Sequence, residues 1–356
     1  MSKIKVLIID DSSLMRQLIT EILSKDPGIE VVGVAPDPYI AKDKINKLNP
    51  DVLTLDVEMP RMDGLTFLEK LMAVRPMPVV MLSSLTEKGC DTTLRALELG
   101  AIDFITKPKL DVVDGVSHIA QEIIAKVKAA AEAHVARRIR PIGETHASPK
   151  KATITEALIR STHKVIAIGT STGGTEALMS VDVPMPPDSP GIVAVIHMPE
   201  KFTASYAQRL NERCQLHVKE AEDGDRILPG HVLLAPGGKH MEVYRSGAIY
   251  TTRIIDTPPV NRFKPSVDVL FHSMARYVGK NAVGAILTGM GYDGAKGMLE
   301  MKNKGASTIA QDKDSCVVFG MPKEAIALGA ADEIASLNDI PRRLSQLGVS
   351  HTLSNS

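Results

Sequence analysis

The sequence predicts an α/β protein made of two doubly wound, parallel-sheet domains. Two observations lead to this prediction. Short apolar runs rich in Val, Ile and Leu alternate with amphipathic helical patterns, which is the rhythm of βαβ units. This rhythm stops near residue 122 and starts again at Lys164, and 356 residues are enough for about two domains.

Residues 3 to 108 contain five strand patterns separated by helix patterns. The strand patterns are KVLIID, EVVGVA, DVLTLDV, PVVMLSS and DFITK. After the first of them, Leu14, Leu18 and Ile22 recur at the spacing of an amphipathic helix. Five such units imply right-handed crossovers and a parallel sheet, whose ligands bind beyond the carboxyl ends of the strands.

Residues 122–160 differ in composition and separate the domains, which are expected at 1–121 and 161–350. The segment is first rich in Ala, Lys and Arg, and its beginning is expected to extend the last helix of the first domain. From about 138 to 158, Pro, Gly and Ser enter, which indicates a linker. Its basic residues allow two interpretations, a docking surface or a solvated linker, and we favour the linker.

The second domain repeats the alternation and adds one antiparallel feature. Its strand patterns are KVIAIGTS, GIVAVIHM, HVLLAP, AVGAILTGM and ASTIAQD, and its helix patterns include TASYAQRLNERC, SVDVLFHSMARYV and GAKGMLEMKNKG. In MEVYRSGAIYTTRI, two alternating runs flank Ser246-Gly247, which predicts an inserted β-hairpin.

The composition excludes several classes of protein. Formal net charge is zero, aromatic residues make up 3% and Trp is absent, so we expect no nucleic-acid partner. No apolar run reaches the roughly eighteen residues of a membrane span, and the N-terminus lacks the zones of a signal peptide. Cys90, Cys214 and Cys316 are widely spaced and fit neither a disulfide framework nor a zinc site. We therefore expect a cytoplasmic protein with reduced thiols and no membrane insertion.

Charged and hydroxyl side chains follow the strands of the first domain. Asp10 and Asp11 end the first strand, Asp56 the third and Lys107 the fifth, while Ser83 and Ser84 end the fourth. Carboxylates gathered at one sheet edge repel one another and favour a divalent cation such as Mg²⁺, and a lysine opposite pairs with an anion. This chemistry is that of phosphoryl transfer to a carboxylate, with Asp56 as acceptor. Any one of these acids could instead be only a turn residue or a helix N-cap, but this is not expected of all of them together.

The blocks IIDDSS, LDVEMPRMDG, MLSS and ITKP resemble the signature blocks of response-regulator receiver domains. This resemblance implies a flavodoxin-like fold, a histidine kinase as phosphodonor and Asp56 as phospho-acceptor. It implies that Asp11, Asp56 and the carbonyl of Glu58 hold Mg²⁺, with Asp10 completing the acidic pocket. It makes Lys107 the phosphate-binding lysine and leaves the switch hydroxyl open between Ser83 and its neighbour Ser84.

A G-x-S-x-G motif marks the start of the second domain. Gly169 to Gly173 carry Ser171 at a predicted strand-to-helix turn, where small residues allow tight backbone geometry. The helix N-terminus behind the serine can stabilise an oxyanion. A phosphate cradle is disfavoured because no Lys follows the glycines and G-x-G-x-x-G is absent here. The motif alone leaves a nucleophile and a structural turn both open.

A nucleophilic serine needs a base and a carboxylate that orients it. His197 ends the next predicted strand on the same sheet edge, with His231 and His240 as reserve candidates. Asp293 follows a further strand in a glycine-rich turn, where it is either an N-cap or the acid of a triad.

Six segments of the second domain resemble the chemotaxis protein-glutamate methylesterase domain. They are IGTSTGGTEAL, HMPEKFTASYAQRL, EAEDGDRILPGHVLLAPGGKHM, PSVDVLFHSMA, LTGMGYDGAKGM and SCVVFGMPKEA. The resemblance implies a Rossmann-like domain whose catalytic triad is Ser171, His197 and Asp293, with Thr172 and Met290 binding the oxyanion or shaping the site.

The same resemblance implies hydrolysis of glutamyl γ-methyl esters on methyl-accepting chemoreceptors, and deamidation of receptor glutamines. No cofactor is implied for ester hydrolysis. The unphosphorylated receiver is expected to cover the esterase cleft, and phosphorylation to relieve this. The alternative, a receiver joined to a transcription or scaffold module, would need a helix-turn-helix or a basic face, and the C-terminal half has neither.

Overall fold

The structure is a computed structural model that describes residues 3–84, 86–107, 116–133 and 164–348. The chain divides into two compact units, residues 1–143 and 144–356. The predicted linker at 138–158 lies outside the described residues. No helix in the described parts of the chain is both long enough and apolar enough to cross a bilayer.

The first unit alternates strands and helices throughout. Its strands are β1 (Ile4–Ile9), β2 (Ile29–Ala35), β3 (Val52–Asp56), β4 (Val79–Ser83) and β5 (Asp103–Thr106). Its helices are α1 (Ser13–Ser24), α2 (Pro38–Leu48), α3 (Gly64–Val74), α4 (Glu87–Glu98) and α5 (Val116–Glu132). The five strands form a parallel sheet in the order β2-β1-β3-β4-β5. The chain reverses direction across the sheet between β1 and β3, which is where a doubly wound sheet forms its ligand crevice.

The helix N-caps of this unit are residues other than the strand-end acids. Ser12 caps α1, Asp37 caps α2, Asp63 caps α3 and Thr86 caps α4, each through its side chain. The N-cap interpretation of Asp10, Asp11 and Asp56 is therefore wrong, and their carboxylates remain at the sheet edge for another use.

Helix α5 continues past the boundary predicted at residue 121 and stays with the first unit. Lys126 Nζ donates to the carbonyl of Phe104 (2.6 Å), and Lys128 Nζ pairs with Asp26 Oδ2 (2.6 Å). Because these bonds tie the helix to β5 and to the turn after α1, the predicted helix extension belongs to the first unit as far as residue 133.

The second unit is larger and has the same alternation. Its strands are β6 (Val165–Thr170), β7 (Gly191–Ile196), β8 (His217–Glu220), β9 (His231–Leu234), β10 (His240–Ser246), β11 (Ile249–Ile255), β12 (Ala282–Ile286), β13 (Ser307–Gln311) and β14 (Glu333–Ala335). Its helices are α6 (Gly174–Asp182), α7 (Phe202–Arg213), α8 (Val267–Tyr277), α9 (Ala295–Asn303), α10 (Met321–Ala327) and α11 (Ile340–Gly348).

Seven strands of this unit form a parallel sheet in the order β14-β13-β12-β6-β7-β9-β8. Every residue of β6, β7 and β12 is buried, as expected of central strands covered on both faces. Since β6 lies between β7 and β12, the carboxyl ends of these three strands are neighbours. The predicted fold class, two parallel-sheet α/β domains, is confirmed.

The predicted hairpin is present, with its turn one residue further on. Strands β10 and β11 pair antiparallel, and Ser246 is itself paired with Ile249, so Gly247 and Ala248 form the loop. The hairpin is fixed to α8 by a hydrogen bond from the Val243 N–H to Ser273 Oγ (2.8 Å). It leads directly into the segment that precedes α8.

Candidate functional site

Three carboxylates of the first unit meet at the carboxyl ends of β1 and β3. Ligand oxygens of Asp10, Asp11 and Asp56 all lie within 4.8 Å of one another. Lys107, which follows β5, places Nζ 3.0 Å from Asp10 Oδ2 and 2.7 Å from Asp56 Oδ2. The structure thus brings together four of the residues predicted for phosphoryl transfer.

Burial and charge perturb this cluster strongly. Burial raises the pKa of Asp56 to about 6, and the neighbouring Asp10 charge adds to this, although the Lys107 ammonium acts in the opposite direction. Burial lowers the pKa of Lys107, but its pairing with Asp56 and Asp10 raises it above its usual range overall. The cluster contains three carboxylates and one lysine, so its negative charge is not fully compensated. This favours the binding of a divalent cation.

The donor set of the cluster fits a hard cation. All three side chains offer oxygen, the ligand that Mg²⁺ prefers, and Asp11 is exposed, so that bound water would have access. The N–H of the exposed Glu58 donates to Asp56 Oδ1 (3.2 Å), which orients the β3–α3 turn around the Asp56 carboxylate. The predicted ligation by the Glu58 carbonyl remains a prediction.

The two candidate switch hydroxyls have different surroundings. Ser83 is fully buried as the last residue of β4, and its Oγ accepts a hydrogen bond from Thr93 Oγ1 (2.5 Å). Ser84 is half-buried, and its hydroxyl contacts Thr86 Oγ1 (3.2 Å) beside the start of α4. Ser83 is the last residue of β4, which lies between β3 and β5 in the sheet, so it ends at the same sheet edge as Asp56 and Lys107. We therefore favour Ser83 over Ser84 as the switch residue.

The turn that carries Ser171 lies between β6 and α6. The carbonyl of Ser171 accepts the N–H of Gly174 (2.7 Å), and the N–H of Ser171 donates to the carbonyl of Thr288 (3.1 Å). The same Thr288 carbonyl also accepts a hydrogen bond from Thr170 Oγ1 (2.7 Å). Gly173 has φ +78°, and an added Cβ would lie 2.7 Å from Val317. Glycine is therefore required here by both backbone conformation and space.

Of the two residues predicted to bind the oxyanion or shape the site, Thr172 lies in this turn and Met290 follows β12. Thr172 is buried, and its carbonyl accepts from Thr288 Oγ1 (3.0 Å). Met290 follows Gly289, where an added Cβ would come within 2.8 Å of Ser171 Cβ. The Gly289 N–H is bound to the carbonyl of Val318 (3.1 Å), whereas the Met290 N–H bonds no other backbone carbonyl of the described residues.

His197 is held at the sheet edge next to Ser171. Thr170 of β6 pairs with Ile196 of β7, so Ser171 and His197 are the next residues on two adjacent strands. His197 Nε2 lies 2.9 Å from Asp293 Oδ2, and Nδ1 is buried with no hydrogen-bond partner in the described structure. A proton on Nε2 would leave Nδ1 as an unoccupied hydrogen-bond acceptor.

Asp293 accepts hydrogen bonds from five groups. They are His197 Nε2, Asn261 Nδ2 (2.7 Å), Ser266 Oγ (2.8 Å), the Val267 N–H (2.6 Å) and the Asp268 N–H (3.3 Å). Burial alone would raise the pKa of Asp293, but the bonds from His197, Asn261 and Ser266 lower it below the usual range. The carboxylate is therefore ionised at neutral pH. Asp293 does bind the N-terminus of a helix, but this helix is α8 and not α9, which follows Asp293 in the sequence.

The two reserve histidines have other surroundings. His240 is fully buried, accepts the Ser266 N–H at Nδ1 (3.1 Å) and contacts the Pro258 carbonyl through Nε2 (3.1 Å). His231 begins β9, at the amino ends of the strands, beside His217. His231 therefore lies at the edge opposite Ser171, and both ring nitrogens of His240 are already engaged by backbone groups.

Sequence reasoning missed the residues that hold the His–Asp pair in place. Asn261 bonds Asp293, and the ring of Phe263 stacks on the His197 imidazole with 3.7 Å between centroids and 8° between planes. Both lie in a short segment between β11 and α8 that has no periodic pattern. The only signal available was its closeness in sequence to a predicted helix start.

Comparison with known proteins extends over almost the whole chain. The family model described as CheB methylesterase matches residues 166–344, and the model described as response regulator receiver domain matches residues 6–116. A protein-glutamate methylesterase/protein-glutamine glutaminase 1 of Geobacter metallireducens is 59% identical over 348 residues, covering 96% of this chain and 95% of that protein.

Two further comparisons agree with these matches. A protein-glutamate methylesterase/protein-glutamine glutaminase of Pectobacterium atrosepticum is 58% identical over 344 residues, covering 97% of both chains. The crystal structure of the Thermotoga maritima CheB methylesterase catalytic domain superposes with a TM-score of 0.51 and 40% identity. It covers 52% of this chain and 98% of that chain.

Proposed function

The chain belongs to the CheB methylesterase family and carries a receiver domain, and from this premise we propose that it hydrolyses glutamyl γ-methyl esters of chemoreceptors under control of phosphorylation. Ser171 is the nucleophile, His197 the base and Asp293 the carboxylate that orients it. The observation that carries this proposal is that all three follow adjacent strands of one sheet, with His197 bonded to Asp293.

The first half of the reaction forms an acyl-enzyme. Ser171 Oγ attacks the ester carbonyl carbon while its proton passes to His197 Nδ1, and Asp293 stabilises the imidazolium through Nε2. The oxyanion is held by backbone N–H groups beside Ser171, including that of Met290, and Thr172 shapes this part of the site. The C–O bond to methoxide then breaks, and His197 returns the proton so that methanol leaves.

The second half regenerates the enzyme. Water attacks the glutamyl ester of Ser171, His197 Nδ1 accepts its proton, and the Ser171 oxygen takes that proton back as glutamate is released. The same steps on a glutamine side chain release ammonia in place of methanol, so we include glutamine deamidation in the proposal. None of these steps needs a metal or an organic cofactor.

The receiver supplies the control. We propose Asp56 as the phospho-acceptor, a histidine kinase as phosphodonor and Lys107 as the group that binds the phosphoryl oxygens. Asp11, Asp56 and the Glu58 carbonyl would hold Mg²⁺, with Asp10 beside them, and the ion would neutralise phosphoryl charge. Ser83 is the proposed switch hydroxyl.

The proposal is tested by methanol release from methylated receptor membranes. Ser171→Ala should abolish release while the circular dichroism spectrum and thermal midpoint stay those of the wild type. A small phosphodonor with Mg²⁺ should accelerate the wild type, and Asp56→Asn should remove only that acceleration. Wild-type release by Ser171→Ala would overturn the nucleophile, and equal acceleration of Asp56→Asn would overturn the control site.

A further inference from the structure

Strand β11 and helix α8 are joined by a segment that contains one tight turn. The N–H of Val260 donates to the carbonyl of Phe263 (3.1 Å), and the N–H of Phe263 donates back to Val260 (2.8 Å). The two central residues, Asn261 and Arg262, have φ +53° and +74°. We call residues 260–263 the clamp turn, since its two half-buried side chains touch both members of the His–Asp pair.

Asn261 fixes the carboxylate. Its Nδ2 donates to Asp293 Oδ1 (2.7 Å) and to Asp268 Oδ2 (2.7 Å), so both amide protons are used. Asp268 is itself anchored, because its Oδ1 accepts the N–H of Gly297 in α9 (2.7 Å). Because Asn261 holds Oδ1 of Asp293, the other carboxylate oxygen, Oδ2, is directed at His197.

Phe263 fixes the imidazole. The two rings are nearly parallel at a centroid distance of 3.7 Å, and only 5% of the His197 side chain is exposed. Rotation of the imidazole about its Cβ–Cγ bond would break both this stacking and the bond to Asp293. When the imidazole accepts a proton, its charge lies over the face of an aromatic ring, which is a favourable cation–π arrangement.

We propose that Asn261 and Phe263 are positioning residues for hydrolysis at Ser171, one holding the Asp293 carboxylate and the other the His197 ring. This inference rests on the proposed function. The clamp turn therefore fixes the position of the Asp293 carboxylate relative to the His197 imidazole. Ser266 and the α8 N–H groups bind Asp293 as well.

The two residues have opposite electrostatic effects, which gives a specific test. Removing the Asn261 amide takes away a donor that partly offsets the Asp293 charge. The carboxylate should then attract the imidazolium more strongly, and the acid limb of the pH dependence of kcat should move to higher pH. Removing the Phe263 ring takes away the π face, so that limb should move to lower pH. Each shift should be about half a pH unit. Among charged neighbours, Asp268 shares the Asn261 amide with Asp293, and the exposed Arg262 lies between the two variant positions.

Two variants with matched controls carry this test on the full-length protein. Asn261→Gly removes the amide while accommodating the positive φ. Phe263→Leu removes the ring and keeps an apolar side chain, and Phe263→Tyr keeps the ring. We expect kcat to fall about tenfold in the first two at nearly unchanged KM, and Phe263→Tyr to retain both kcat and the acid limb. Val260→Ala changes an exposed side chain of the same turn and should resemble the wild type.

A second readout does not depend on turnover. In Ser171→Ala, the proton resonance of His197 Nε2–H reports the bond to Asp293, and it should shift or broaden in Asn261→Gly and Phe263→Leu but stay in Phe263→Tyr. Thermal midpoints measured in parallel identify any variant that has lost its fold, and the resonance is then compared only among folded proteins.

The outcomes separate this inference from the function on which it rests. Methanol release by the wild type and none by Ser171→Ala supports the function. If Asn261→Gly and Phe263→Leu then keep the wild-type kcat and acid limb, the positioning role is wrong. A loss of kcat with unmoved limbs and no rescue by Phe263→Tyr also overturns it, because that is the behaviour of residues that only stabilise the fold. Activity in Ser171→Ala contradicts the function itself.

Discussion

His197 Nε2 lies 2.9 Å from Asp293 Oδ2, while the other imidazole nitrogen, Nδ1, is buried without a hydrogen-bond partner in the described residues. The Asp293 carboxylate also accepts hydrogen bonds from two backbone N–H groups in the first turn of α8, those of Val267 and Asp268. Asp293 therefore binds both the imidazole of His197 and the N-terminus of α8, so its replacement should affect activity and stability together.

Asp293→Asn should lower kcat for methanol release about a thousandfold or more, because an amide that donates to Nε2 would impose the wrong imidazole tautomer. It should also destabilise the protein by about 1–3 kcal/mol, since an Asn NH₂ group would face N–H donors. His197→Gln provides the matched comparison, with a similar loss of kcat and a much smaller loss of stability. The prediction fails if both variants unfold at the same midpoint, as measured by calorimetry.

Gly173→Ala should damage the turn beneath Ser171 more than positive φ alone would explain. Gly173 has φ +78° and lacks space for a Cβ beside Val317, whereas Gly224 has φ +83° and nothing within 4 Å of an added Cβ. Gly224→Ala should therefore cost only the left-handed conformation, about 1 kcal/mol. Gly173→Ala should cost about 2–5 kcal/mol and strongly reduce kcat, because the steric clash displaces the turn that presents Ser171.

Urea unfolding of both variants beside the wild type measures this difference, with methanol release as the second readout. Equal loss of stability in the two variants would mean that Val317 yields easily and that the motif glycine serves only the backbone conformation.

The sequence was most informative where geometry follows from topology. The carboxyl ends of neighbouring parallel strands share one edge, so Asp10, Asp56 and Lys107 could be grouped from their places after strands, and so could His197 and Asp293. The structure brings each group into contact, although the catalytic and phosphorylation roles remain predictions. Which serine is the switch could not be decided from two consecutive hydroxyls.

The sequence was least informative where the chain path has no period. Asn261 and Phe263 lie in a loop whose course depends on the hairpin and α8, so no spacing rule connects them with His197. Strand β8 was not predicted because it has four residues with a single buried side chain, Val218, and β14 has only three residues. Their place in the sheet is set by neighbouring strands rather than by their own composition.

Asp56→Asn should stabilise the first unit when no divalent cation is present. Burial and the Asp10 charge raise the pKa of Asp56 to about 6, so keeping this group ionised at pH 7.5 costs free energy that a neutral amide does not. In EDTA the gain should be about 1–3 kcal/mol. Added Mg²⁺ should reduce or reverse it, because the cation binds the native wild type more tightly.

Asp43→Asn is the control for this effect, since Asp43 is an exposed carboxylate of α2. It should change the midpoint little with or without Mg²⁺, as followed by thermal unfolding in both buffers. A gain for Asp56→Asn that is as large in Mg²⁺ as in EDTA would argue against a cation at Asp10, Asp11 and Asp56.

A buried carboxyl of the second unit has no role in either site. Asp182, the last residue of α6, is fully inaccessible to solvent, and neither of its oxygens has a hydrogen-bond partner in the described chain. Burial raises the pKa of Asp182 to about 8. The folded protein therefore keeps this proton at neutral pH, whereas the unfolded chain, with a carboxyl pKa near 4, releases it.

This difference predicts that Asp182 makes the second unit less stable as pH rises. Between about pH 4 and pH 8 the native state binds one more proton than the unfolded state, so stability falls by up to about 1.4 kcal/mol per pH unit and levels off above pH 8. Asp182→Asn cannot ionise, so its advantage over the wild type should be small at pH 5 and should grow steadily to pH 8. Calorimetry of the full chain at four pH values, following the transition of residues 144–356, measures this advantage. Asp188 is exposed, so the control variant Asp188→Asn should give no such trend. If the difference in stability between Asp182→Asn and the wild type is the same at every pH, Asp182 is already ionised in the folded protein at pH 5.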